Sequence, residues 1–83
     1  MVKDFDVVTI TAVSVSRPQT MPEWREPRVG DRAVVVEVLS NPPGYYLEGF
    51  SAAGETIWVE PFAEGEVSFE VVGNMADGHT GAA

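Results

Sequence analysis

Apolar and polar residues alternate along this 83-residue chain in short runs, and proline, glycine or asparagine stands at each break. The run "FDVVTITAVSV", Phe5 to Val15, is rich in β-branched residues with partial alternation and predicts a first strand. "RAVVVEVL" predicts a second, with Val34, Val36 and Val38 on one face and Glu37 on the other. "YYLEGF" and "ETIWVE" read as a hairpin around "SAAG", where Gly54 supplies a left-handed turn position. "VSFEVV" predicts a fifth strand, with Val67, Phe69 and Val71 facing inward against Ser68 and Glu70.

The connections sharpen this reading. "SRPQTMPEWREPRVGD" holds three prolines, which rule out a continuous helix and remove ladder donors, so a long ordered loop is expected, ending in a turn at Val29-Gly30-Asp31. "SNPPG" breaks the second strand from the third. "PFAEGE" is too short for an α-helix and suits one 3₁₀ turn. Five short strands in this order, protected at their edges by closure, predict an all-β fold: a small five-stranded SH3-like barrel with a 3₁₀ turn before the last strand. The domain is expected to span residues 1–72. The patternless "GNMADGHTGAA", 73–83, is expected to be a disordered tail.

The hairpin carries the candidate site. Glu48 and Glu60, taken as the wet positions, put Tyr45, Leu47, Gly49, Ile57 and Val59 inward. Tyr46, Phe50 and Trp58 then share the outer face as cross-strand aromatic neighbours. Two outcomes stay open. The long loop 16–30 folds back and covers that face with Met21 and Trp24, making a second small core. Alternatively the face is open, and an aromatic centre with an acidic rim is a surface for capturing a basic protein. The candidate binding residues are Tyr46, Glu48, Phe50, Trp58, Glu60 and Trp24, with Glu37 and Glu70 at the rim.

Charge narrows the partner. All five Lys and Arg residues lie at or before Arg32, where five acids balance them; residues 33–83 hold eight acids and no Lys or Arg, which accounts for the net −8. Phosphate-binding basic patches are missing, so neither nucleic acid nor an anionic membrane is an expected partner. There is no cysteine, hence no disulfide framework and no thiolate metal site. The opening "MVKDFDVVTI" lacks the basic start of a signal peptide, and no apolar run approaches the roughly 20 residues that span a bilayer, so a cytoplasmic location is expected.

The chain from Val29 to Glu66 resembles a family of short bacterial SH3-like barrel domains of unknown function. Their pattern is "G-D" before a valine-rich strand, then "Y-x-x-E-F" and "G-E-T"; here it is carried by Gly30-Asp31, Ala33 to Val38, Tyr46 to Phe50 and Gly54-Glu55-Thr56. Gly49 interrupts the "E-F" pair. The resemblance implies a role of the antitoxin or immunity kind. Proline-rich-peptide SH3 domains are echoed only in Tyr45-Tyr46 and Pro61-Phe62.

Catalytic chemistry finds little to build on. His79 and Asp77 sit together in the tail, where no base is held in place. Asp4 and Asp6 share one strand face and read as solvated charges near the chain start. Glu23 and Glu26 interleave with Arg25 and Arg28 as weak local ion pairs. The expectation is a non-enzymatic interaction module with no cofactor or metal. An accessory subunit or homo-oligomer, and a small-molecule-binding domain, stand as alternatives.

Overall fold

In the computed structural model, which describes residues 2–19 and 21–76, the chain forms five strands: β1 (Asp6–Val13), β2 (Arg32–Ser40), β3 (Pro43–Phe50), β4 (Thr56–Ala63) and β5 (Val67–Asn74). They make one antiparallel sheet in the order β4-β3-β2-β1-β5. The all-β, five-stranded expectation holds. Closure does not, because β4 and β5 do not pair with each other.

The "PFAEGE" segment is also different. Its first three residues extend β4, and Glu66 N–H closes a tight turn on the Ala63 carbonyl at 3.0 Å, so no 3₁₀ turn forms there. The β3–β4 turn is as expected, with Gly54 at φ +87° and its N–H bonded to the Ser51 carbonyl. β5 runs on through Asn74, past the expected domain end at 72, while the His79–Asp77 pair lies outside the described residues.

The buried residues of the core cluster lie on one face of the sheet. Val8 and Ile10 come from β1, Ala33 and Val35 from β2, Leu47 from β3, Trp58 and Phe62 from β4, and Val67 from β5. Alternation explains β1 and β3, and the expected inward Val67 and half-buried Phe69 of β5. In β2 a register shift between Val35 and Glu37 breaks the strict Val34-Val36-Val38 series. Val34 instead stands opposite Glu48, while Ala33 and Val35 carry the core. Val71 has the inward parity of its partner Val8 but stays exposed at the sheet edge.

The long loop seals one side of this core. Arg25 N–H bonds to the Ile57 carbonyl on the free edge of β4, and Gly30 N–H and the Asp31 carbonyl both bond to Ile10. Arg17 reaches across to Glu66 in the β4–β5 turn at 2.7 Å and lies 5.6 Å above the Phe62 ring. The loop therefore closes over the inner face and the β4 edge.

Candidate functional site

The site begins with which way β4 faces. Gly49 stands opposite Trp58, and a side chain at Gly49 would lie 2.2 Å from the indole. Ala33 is the next residue across the sheet. Two small residues in a row leave a slot on the inner face, and Trp58 fills it, packing edge-on against Phe62 at 6.2 Å. Its indole N–H donates to Asp31 at 2.9 Å. Trp58 is thus fully buried, and the expectation that it belongs to the outer face is corrected.

Glu60 shares that inner face, so it was a misleading marker of the wet side. Its carboxylate accepts from Gln19 and lies 3.7 Å from Arg17 Nε, which lets a carboxylate sit beside the core. Ile57 and Val59 are correspondingly only half-buried. Glu60 is not part of an outer rim.

Asp31 organises the buried end of the loop. It takes a two-pronged ion pair from Arg25 at 2.7 and 2.9 Å, the Trp58 N–H, and the Arg28 backbone N–H at 2.9 Å. Burial by itself pushes the Asp31 carboxyl up. The hydrogen bonds from Arg25, Trp58 and Arg28 outweigh that and hold it below the ordinary carboxylate range. Arg25 thus pairs with Asp31, while Glu26 accepts from Ser16 and from Arg17 N–H. The expected pairing within 23–28 is replaced by these longer-range contacts. Asp6 is likewise not solvated: it is buried and accepts from Asn74 at 2.7 Å and from Lys3 N–H.

What remains on the outer face follows from register. One row across the sheet reads Val7, Val34, Glu48, Val59. A second reads Thr9, Arg32, Phe50, Thr56, and a third Glu37, Tyr46, Pro61. Glu48 therefore sits among Val34, Val59, Phe50 and Tyr46, with Thr56 donating its hydroxyl to the carboxylate. Tyr46 is 36% exposed. The long loop's hydrogen bonds and ion pairs run to the β4 edge, the inner face and the β4–β5 turn. Trp24 is half-buried in that loop, one residue before the Arg25–Ile57 bond. Three of the six sequence-predicted residues, Tyr46, Glu48 and Phe50, are brought together.

Val34 and Val59 are the members that sequence reasoning missed, and the signal for them was the Gly49–Trp58 pairing. Below this face a groove of about 740 Å³ opens between the end of the loop and the hairpin turn, lined by Arg25, Arg32, Phe50 and Ile57. Among the described residues no three His, Cys, Asp or Glu side chains gather as metal ligands, and no helix is long and apolar enough to cross a membrane. Comparison with protein families, with curated proteins and with solved structures returned no match.

Proposed function

We propose that this domain is a non-enzymatic, cytoplasmic protein-interaction module that captures a basic partner on the outer face of β2, β3 and β4. The observation that supports this reading is the ring of Tyr46, Phe50, Val34 and Val59 around Glu48, on a face the buried core does not use. A lysine or arginine of the partner lays its aliphatic stem on Tyr46 and Phe50 and its charge on Glu48. The net charge of −8 steers such a partner inward. An antitoxin- or immunity-like role is the biological setting that the family resemblance suggests.

The test is retention of a Lys/Arg-rich protein from extract of the native host on immobilised domain. Wild type retains it, and Tyr46→Ala and Glu48→Gln each release it. With that protein purified, Glu48→Gln slows association and flattens its salt dependence. Retention unchanged in both variants contradicts the reading.

The apolar half of the same ring favours a second reading, in which the face joins two copies or scaffolds a larger complex. Light scattering separates the two: a monomer at low and high salt supports capture, and a salt-resistant dimer abolished by Tyr46→Ala supports assembly. The groove beside Phe50 is where a small molecule would sit, and ligand-dependent melting reports on it.

A further inference from the structure

The two ends of the open sheet are finished differently. At the β4 end the loop bonds to the strand, Gln19 and Arg17 hold Glu60, and Pro61 removes a donor. At the β5 end nothing comparable occurs. Residues 67–71 are each paired with β1 through one edge. The Glu64–Val67 bridge occupies the start of their other edge, and beyond Val67, among the described residues, no further backbone or side-chain hydrogen bond reaches it. The open part of this edge, Ser68 to Val71, carries one register shift against β1 between Ser68 and Phe69, and it holds no proline and no lysine.

The surroundings of this edge are also shaped. Where β4 and β5 fail to meet, a hollow of about 270 Å³ is lined by Val2, Tyr45, Glu64, Val67, Ser68 and Phe69. Tyr45 and Phe69 form its aromatic wall, edge-to-face at 5.0 Å. Val71, Val72 and Met75 continue the apolar surface toward the strand end, all well exposed. Phe5, 52% exposed at a strained φ of +71°, accepts the Met75 N–H and extends it further. Exposed Glu64 and Glu70 lie beside this strip, Lys3 and Asp4 stand between Val2 and Phe5 at its far end, and residues 33–76 contain no Lys or Arg.

We propose that the β5 edge is a second binding surface, which accepts an extended segment of a partner protein as a sixth strand. The pleat sets the sequence it takes. Side chains directed to the inner side meet Val67, Phe69, Val71 and the hollow, so they are apolar. Those on the outer side meet Ser68 and Glu70, so they are Lys or Arg. A second copy of this chain fits poorly, because it brings its own Glu70 and a further −8 to the contact.

A nine-residue peptide alternating valine and lysine is the probe, with hydrogen exchange of the full-length domain as the readout. The valine–lysine peptide protects the amides of β5 that exchange rapidly in the free protein. A valine–glutamate peptide does not, nor does a valine–lysine peptide N-methylated at alternate residues. Glu70→Lys, at an exposed position, keeps the fold by circular dichroism and weakens binding about tenfold. No binding at about 1 mM peptide in low salt overturns the proposal. So does protection confined to β3 and β4, which places the peptide on the hairpin face instead. Slow exchange, in the dilute free protein, of the β5 amides that point away from β1, or protection that rises with protein concentration alone, also overturns it, since the edge is then already occupied.

Discussion

The β3–β4 hairpin carries aromatic residues on both of its faces, and the two sets have opposite fates. On the inner face Trp58 and Phe62 are sealed against Leu47, with Asp31 satisfying the indole N–H. On the outer face Tyr46 and Phe50 flank Glu48 and stay accessible. Residue type does not separate these sets. What separates them is the space opposite: Gly49 and Ala33 open a slot on one side, while Val34, Glu48 and Val59 fill the other with side chains of ordinary size. The lesson is that a tryptophan paired with a glycine reports a close approach, and hence the core side of a sheet.

Changes to the sealed face should have the largest effect. Trp58→Ala removes the largest fully buried side chain, at a cost of about 3–5 kcal/mol, a large share of what a domain this small has to spend. Urea unfolding should show no cooperative transition at 25 °C. Gly49→Ala forces the indole aside and should cost about 1–3 kcal/mol through overpacking.

Asp31→Asn comes next, because it leaves Arg25 without its ion-pair partner in a half-buried setting; a loss of about 2–3 kcal/mol is expected in the same assay. The pH dependence has a definite sign. Asp31 has a folded-state pKa below its unfolded value, so its contribution is present above about pH 4 and is lost as pH falls through the folded value. Wild-type stability should therefore fall on the acid side of pH 4, and Asp31→Asn should flatten that fall. Asp6 is lowered in the same sense: burial opposes the shift, but the Asn74 and Lys3 hydrogen bonds prevail, so part of the acid loss persists in the variant.

The open face should respond least in stability and most in binding. Tyr46→Ala should lower the unfolding free energy by no more than about 0.5 kcal/mol, yet abolish partner retention. A stability loss near that of Trp58→Ala would mean the two faces are not distinct.

Much of the fold is legible in the sequence, and the reasons are local. The Val-rich runs, the prolines of the long loop and the glycine at Gly54 each act within a few residues, so strand order and turn positions can be read directly. The facing of β4 depends on partners far along the chain. Glu60 looks like a solvent position until Arg17 and Gln19 are known to reach it from 43 and 41 residues away. The register shift in β2 is invisible in an unbroken valine run, where every residue suits either face. Asp31 reads as turn punctuation beside Gly30, and only the fold brings Trp58 and Arg25 onto it. Tyr46, Glu48 and Phe50 are legible because alternation holds from Tyr45 to Phe50 in β3.

The most direct test of the open outer face is photo-crosslinking in the native host from a benzophenone side chain at position 46, introduced as Tyr46→p-benzoylphenylalanine. The account predicts a single adduct with a Lys/Arg-rich protein, weakened at high salt and lost when Glu48→Gln is added. No adduct from position 46, or an adduct only of the chain with itself, would contradict it.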